Sequence, residues 1–190
     1  MMKLKKRKLL IFCVCGKARS GKSLVGKYIN DKLQEDGYKI IVSPYTKYLK
    51  KYISEITGQE ITDDNKPRDL LQQISSEIIK GELGNNNFFI NRQIEDIDLY
   101  SYFFDIVIIP DVRFPKEIEV LKERYENVIS IGVNRVDYKS DLTLQQQKDK
   151  TEISLDNYQN YDFLLINENI EKLRQDTLKI INNLKKEGII

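Results

Sequence analysis

Short apolar runs alternate with longer amphipathic stretches along this chain. Two strongly apolar runs predict buried strands at 9–15 and 102–109, and weaker runs predict strands at 38–42, 127–133 and 161–166. Between the runs, apolar residues recur every three or four positions, which predicts helices at 23–36, 45–56, 67–80, 88–99, 115–125 and 170–186. Strands that alternate with helices predict an α/β fold, with a central parallel sheet of about five strands and helices on both faces.

The junction of the first strand and the first helix reads Gly16-Lys17-Ala18-Arg19-Ser20-Gly21-Lys22-Ser23. This is the spacing of a phosphate-binding loop, in which glycines let several N–H groups point into one concavity. Lys22 would reach the β- and γ-phosphates of a nucleoside triphosphate, and the Ser23 hydroxyl would ligate Mg²⁺. The alternative is a chance match in a glycine-containing turn. The motif predicts a P-loop NTPase fold, a three-layer sandwich that binds ATP through Gly16, Lys17, Ala18, Arg19, Ser20, Gly21, Lys22, Ser23, Leu24 and Arg135.

Further candidates follow from the chemistry of phosphoryl transfer, which needs positive charge at the carboxyl edge of the sheet. Asp111 and Arg113 come just after a predicted strand, where the carboxylate would hold Mg²⁺ and the guanidinium would clamp a phosphate. A surface ion pair or a helix-capping network is the alternative for both. Arg68 begins a helix and Arg19 lies in the glycine loop, and each either contacts phosphate or points to solvent. Arg135 ends a strand and begins a polar segment, so it would contact the nucleotide or move with a lid. Lys50 and Arg92 are weaker candidates, because charged positions on helices are usually solvated.

Composition narrows the class of protein. The chain has 190 residues, of which 41% are hydrophobic and 32% charged, so we expect one globular domain over 1–190. The net charge of +2 gives no argument for a nucleic-acid partner. No apolar run approaches transmembrane length and the basic start does not continue as a signal peptide, so we expect a cytoplasmic protein without a membrane partner.

The absence of histidine and the small number of cysteines exclude several kinds of catalytic and metal site. Histidine is absent, which excludes histidine-based acid–base catalysis and Ser–His or Cys–His triads. The only cysteines, Cys13 and Cys15, lie two apart in the first predicted strand and therefore point the same way. We expect both in the core, because no further Cys or His is present to complete a metal or redox site.

Six segments follow one another in an order that resembles a known family. They read G-K-A-R-S-G-K-S, Y-T-K-Y-L-K-K-Y-I-S-E-I-T-G, K-P-R-D-L-L-Q-Q-I-S-S-E-I-I, D-V-R-F-P-K-E-I-E, T-E-I-S-L-D-N-Y and Y-D-F-L-L-I-N. The chain resembles the deoxynucleoside monophosphate kinases of phages and bacteria, within the P-loop nucleoside monophosphate kinases. The resemblance spans nearly the whole chain. It departs from the family's usual pattern D-x-R-F-x-N-E at Lys116, and it has Lys150-Thr151-Glu152 where a histidine and a Ser-Glu pair are common.

The resemblance implies roles for particular residues. It implies donor-phosphate contacts at Lys22 and Ser23, with Asp111 near the metal and the acceptor phosphate. It implies acceptor contacts at Lys50, Arg68 and Arg113, and a mobile lid over ATP at about 134–151. Together with the loop chemistry, this gives a predicted catalytic set of Lys22, Arg19, Asp111 and Arg113.

The predicted function is transfer of the ATP γ-phosphoryl group to a (deoxy)nucleoside monophosphate with Mg²⁺, by a monomer or a homodimer. Two alternatives stay open from the sequence. One keeps the fold and changes the acceptor to another phosphorylated metabolite, of the dephospho-coenzyme A or phosphomevalonate type. The other is a non-catalytic regulatory protein that binds a nucleotide and signals through loop ordering.

Overall fold

A computed structural model describes residues 4–62, 65, 67–136, 143 and 147–190 of the chain. The strands are β1 (Leu10–Cys15), β2 (Ile40–Val42), β3 (Ile106–Val112), β4 (Val128–Arg135) and β5 (Phe163–Asn167). The helices are α1 (Lys22–Glu35), α2 (Lys47–Thr57), α3 (Arg68–Gln72), α4 (Phe88–Tyr100), α5 (Pro115–Arg124), α6 (Lys150–Ile153) and α7 (Ile170–Lys186), and a π-helix (Gln73–Glu82) continues α3.

All pairings in the sheet are parallel, in the order β2-β3-β1-β4-β5, which confirms the predicted five-stranded parallel sheet. From β1 the chain crosses to β2 on one side of the sheet, returns to β3 beside β1, and then crosses over to β4 on the other side of β1. The carboxyl end of β1 is therefore the switch point of the sheet, where α/β folds open a crevice for ligands. The glycine loop begins at this point.

The two faces of β1 supply two halves of the core, because successive side chains of a strand point to opposite faces. Phe12 and Val14 pack with apolar residues of α1 and α7, which cover one face. Cys13 and Cys15 pack with residues of α4 and α5 on the other face. Both cysteines are fully buried free thiols whose pKa burial raises, which confirms their expected place in the core. A third apolar cluster joins α2, α3 and the π-helix.

The predicted bounds of β3 were wrong in a way that affects the site. The strand begins at Ile106 and continues to Val112, so Asp111 lies within it and not after it. A register shift between Cys13 and Cys15 lets Cys15 pair with Val112. Pro110, which lacks an N–H group, is tolerated because it lies at this irregularity and beyond the last β2 partner, Ile108.

Three other elements differ from the sequence prediction. The helix predicted from Pro67 to before Gly81 is an α-helix for five residues and then a π-helix that passes Gly81. The Ser75 hydroxyl donates to the Gln72 carbonyl oxygen at 3.2 Å where the helix type changes, and so competes with the regular backbone pattern. Strand β4 extends to Arg135, two residues past its predicted end, and α6 was not predicted.

Candidate functional site

The glycine loop has the backbone that phosphate binding requires. Gly16 has a φ of 143° and Gly21 a φ of 110°, and a Cβ at Gly16 would lie 2.5 Å from the Val133 carbonyl oxygen. Only glycine fits this position without a shift of the backbone. Arg19 also has a positive φ of 55°. On the far side of the loop, the Asn167 amide donates to the Ser20 carbonyl oxygen at 2.8 Å, so β5 holds the loop in place.

Lys22 lies at the centre of the loop as the first residue of α1. It is only 6% exposed and its ammonium donates to the carbonyl oxygen of Lys17. Burial, and after it the Arg113 guanidinium, lower its pKa to about 7 against the opposite effect of Glu152 and Asp111. The ammonium is therefore held in a site that needs an added negative charge.

A cavity of about 430 Å³ opens in front of the loop. Its lining brings together seven of the residues that the sequence singled out, namely Ala18, Arg19, Lys22, Ser23, Arg68, Asp111 and Arg113. Arg68 is exposed and makes no ion pair with any residue that the structure describes, so its guanidinium can bind an anion. We call this space the acceptor cavity.

A second cavity, of about 290 Å³, lies on the other side of Lys22 and is called the donor cavity here. Arg135, at the end of β4, lines it together with Asn169 of the loop after β5 and Ile170 at the start of α7. Arg135 also donates to the Arg19 carbonyl oxygen at 3.3 Å. The predicted nucleotide contacts Arg19, Gly21, Lys22, Ser23, Leu24 and Arg135 all line this cavity.

A third and larger cavity, of about 830 Å³, lies beside Gly16, Lys17, Ala18 and Ser20. Lys17 forms an ion pair of 2.7 Å with Asp156 there. The Ser20 hydroxyl oxygen is buried and has no hydrogen-bond partner in the described part of the chain. An orphaned oxygen inside the glycine loop fits a ligand that carries hydrogen-bonding groups.

Asp111 forms hydrogen bonds to the residues just before α2. Its Oδ1 accepts from the Tyr45 N–H at 2.8 Å, and its Oδ2 accepts from the N–H and the hydroxyl of Thr46 at 3.0 and 2.8 Å. The carboxylate thus fastens the start of α2 to the end of β3. These bonds agree with a helix-capping network, which was the alternative interpretation of Asp111. Asp111 also lines the acceptor cavity, together with Ser23.

Magnesium fits these residues as the ion of a nucleotide complex. The described residues contain no group of three or more acidic, His or Cys side chains that would form a metal cage. Mg²⁺ bound with a nucleotide usually takes only one or two protein ligands, with phosphates and waters completing the shell. The Ser23 hydroxyl lines both cavities and makes no hydrogen bond within the described residues, so it can supply one ligand.

Glu152, which the sequence did not place among the site residues, reaches the glycine loop from α6. Its Oε2 accepts from the Ala18 N–H at 2.8 Å, and its Oε1 pairs with Arg113 Nη1 at 2.9 Å. Asp149 of the same segment accepts from the Gln72 amide and caps α6 through the Thr151 N–H at 2.8 Å. Segment 149–152 therefore bridges the loop, β3 and α3.

Two weaker candidates lie elsewhere. Lys50 is on α2 and does not line the cavities described above. Arg92 is on α4, where it pairs with Glu95 at 3.1 Å and lies against the rings of Tyr48 and Phe88. Part of the predicted lid, 137–142 and 144–146, lies outside the described residues.

We expect nucleotide binding to take up a proton at Lys22. At pH 8 an ammonium with a pKa of about 7 is roughly 90% neutral before binding, and phosphates would restore its charge. Uptake of nearly one proton, and a Kd that rises up to about tenfold per pH unit above 7, should follow. Titration calorimetry with the ATP analogue AMPPNP in Tris and in HEPES measures the uptake, and Lys22→Met should abolish it. Equal binding enthalpies in the two buffers would contradict the shifted pKa.

Comparison with solved structures identifies the fold. The APS kinase CysC of Mycobacterium tuberculosis, in complex with AMPPNP and APS, is 11% identical at a TM-score of 0.55, over 93% of this chain and 99% of that one. A sugar kinase from Janibacter sp. is 12% identical (TM-score 0.53, 92% and 95% coverage). Shikimate kinase from Bacteroides thetaiotaomicron is 15% identical (TM-score 0.51, 93% and 98% coverage).

No protein-family model and no curated protein matches the chain. The solved structures show that the chain has the α/β fold of P-loop kinases, as the glycine loop predicted. None of the described helices has the length and the apolar composition that crossing a membrane requires.

Proposed function

We propose that this chain is a kinase that transfers the γ-phosphoryl group of ATP to a (deoxy)nucleoside monophosphate. The observation that carries the proposal is the position of Lys22 and Ser23 between two cavities. A donor nucleotide in the donor cavity would present its last phosphate to an acceptor held in the acceptor cavity. The proposal includes a single domain over 1–190 with a mobile lid at about 134–151.

The residues of the two cavities would position the substrates and neutralise the charge of their phosphates. Loop N–H groups and Lys22 would hold the donor phosphates, and Arg68 and Arg113 would hold the acceptor phosphate in line with them. Mg²⁺, held by Ser23 with Asp111 nearby, supplies charge neutralisation when the nucleotide is bound. Arg19, whose side chain lines both cavities, would stabilise the group in transfer.

A second candidate changes the acceptor to a hydroxyl group on another phosphorylated metabolite. A hydroxyl acceptor must lose a proton, and Glu152, which lines the acceptor cavity, would be the carboxylate available to take it. The neighbouring folds include kinases named for APS, shikimate and sugars, which supports keeping this candidate.

We expect ADP to form from ATP and Mg²⁺ only in the presence of the right acceptor. Coupled ADP production should be measured with ribo- and deoxynucleoside monophosphates, and with dephospho-coenzyme A and phosphomevalonate. Turnover with nucleoside monophosphates supports the main proposal. Turnover with dephospho-coenzyme A alone moves the assignment to a hydroxyl acceptor, and turnover with phosphomevalonate alone moves it to the phosphate of another metabolite. Nucleotide binding without acceptor-dependent turnover would reject both and favour a regulatory protein.

A further inference from the structure

The carboxylate of Glu152 lies among positive groups at the glycine loop. Its side chain is only 11% exposed, its Oε2 accepts from the Ala18 N–H at 2.8 Å, and its Oε1 pairs with Arg113 Nη1 at 2.9 Å. Burial lowers the pKa of the Lys22 ammonium, and Glu152 is the strongest of the groups that raise it. A loop N–H, a guanidinium and the loop lysine are groups that stabilise a phosphoryl group in transfer. The carboxylate therefore has the surroundings that such a phosphoryl group needs.

The lining of the two cavities indicates which phosphate of a donor would meet this carboxylate. The cavities share Lys22 and Ser23. Gly21 lines the donor cavity but not the acceptor cavity, whereas Ala18 and Glu152 line the acceptor cavity but not the donor cavity. A nucleotide in the donor cavity would thus place its inner phosphates beside Gly21 and Lys22 and extend its last phosphate towards Ala18. The last phosphate of a triphosphate would meet the Glu152 carboxylate there.

We propose that Glu152 occupies the site of the γ-phosphate in the nucleotide-free protein and so makes the glycine loop discriminate between nucleoside diphosphates and triphosphates. A diphosphate ends before the Ala18 N–H and binds while the carboxylate stays in place. A triphosphate must displace the carboxylate, because one N–H cannot donate fully to two anions and because the two anions repel each other. The inference rests on the proposed function, since it assumes that the donor cavity holds ATP.

The displaced carboxylate has a space to enter. Glu152 lines the acceptor cavity on one side and the larger cavity of about 830 Å³ on the other. Lys17 lines this larger cavity too, and its ammonium already pairs with the Asp156 carboxylate at 2.7 Å. A rotation of the Glu152 side chain would move its charge from the Ala18 N–H towards this ammonium. A triphosphate can therefore bind without unfolding α6.

The alternative is that Glu152 only attaches segment 149–152 to the glycine loop. Asp149 already attaches this segment to α3 by accepting from the Gln72 amide, and it caps α6 through the Thr151 N–H at 2.8 Å. A merely attaching contact would affect all nucleotides alike, whatever the number of their phosphates. The dependence of binding on the number of phosphates separates the two interpretations.

Binding of ADP and of AMPPNP to the wild type tests the inference without turnover. Both dissociation constants should be measured by calorimetry in the presence of Mg²⁺. We expect ADP to bind at least as tightly as AMPPNP, although the triphosphate analogue has one more phosphate to pair with the loop. If neither nucleotide binds, the proposed function fails. If AMPPNP binds more tightly than ADP, the proposed function stands and only the inference fails.

Glu152→Gln gives the sharper result. A glutamine oxygen is a weaker acceptor for the Ala18 N–H than a carboxylate oxygen, and it has no charge that repels a phosphate. The ratio of the AMPPNP dissociation constant to the ADP dissociation constant should therefore fall about tenfold from its wild-type value. An unchanged ratio would overturn the inference, whether both affinities change by the same factor or neither changes.

The matched control is Glu168→Gln, which removes the same charge from a residue that lines the donor cavity and pairs with Lys172. Both affinities should change by the same factor in this variant, because Glu168 does not line the acceptor cavity. A tenfold fall of the ratio in the control as well would overturn the inference. Glu152→Ala, with the same expected fall, replaces Glu152→Gln if that variant does not fold, and melting temperature and ADP binding establish which variants are folded.

Discussion

Lys22→Met is expected to lower phosphoryl transfer by about three orders of magnitude while the protein stays folded. The ammonium is the only charged side chain of the glycine loop that is itself buried, so no neighbour within that loop can replace it. Loss of one preorganised charged group at a site of developing charge typically costs about 10²- to 10³-fold in kcat. Methionine keeps the length and the apolar stem of the side chain.

The fold should tolerate this change because burial already disfavours the charge of Lys22, as the pKa of about 7 shows. The melting temperature at pH 7 should therefore be unchanged or higher. The comparison is Lys27→Met, an exposed lysine on the same helix, which should have wild-type turnover and stability. Near-normal rates in Lys22→Met would reject the glycine loop as the donor site.

The glycine loop could be predicted because its chemistry is contiguous in the sequence. Eight consecutive residues fix the turn, the cation and the hydroxyl, and the flanking apolar strand and amphipathic helix fix their orientation. Asp111 and Arg113 could be placed near the loop because the carboxyl ends of parallel strands meet at one edge of the sheet. Arg68 became a candidate because a cation at a helix start opposes the helix dipole, and because the family resemblance implies an acceptor contact there.

The contacts among these residues could not be predicted, because they join distant parts of the chain. Glu152 meets Ala18 across 134 positions, and this contact depends on how the polar segment after β4 returns to the sheet. The bonds of Asp111 to the start of α2 depend on β3 extending past Pro110, which the apolar pattern does not indicate. Glu117 accepts from the N–H groups of Arg113 and Phe114 at the start of α5, a contact that the apolar pattern does not indicate either.

Arg113→Met is expected to have the other large effect, a loss of about 10³-fold in kcat/KM for the acceptor. Its guanidinium lines the acceptor cavity, is largely buried and pairs with Glu152 at 2.9 Å. Loss of a charged group that positions a reactant beside developing charge typically costs about 10²- to 10³-fold. Steady-state kinetics over both substrates would measure the loss, with the exposed Arg174→Met on α7 as the matched control.

Because Arg113 pairs with Glu152, Arg113→Met should also weaken nucleotide binding. Without Arg113, the Glu152 carboxylate stays on the Ala18 N–H with its charge uncompensated, and it should repel the donor phosphates. We therefore expect AMPPNP to bind Arg113→Met about tenfold more weakly than the wild type. Glu152→Gln should bind AMPPNP about tenfold more tightly, because a neutral amide oxygen competes less with phosphate for that N–H.

The double variant Arg113→Met/Glu152→Gln separates the two roles of Arg113. Nucleotide affinity should return to or exceed the wild-type value, because the repelling charge is gone. The acceptor kcat/KM should stay low, because no guanidinium remains to hold the acceptor phosphate. Recovery of the acceptor step in the double variant would mean that Arg113 acts only by neutralising Glu152. If AMPPNP affinity is the same in all three variants, the carboxylate does not compete with the donor for the glycine loop.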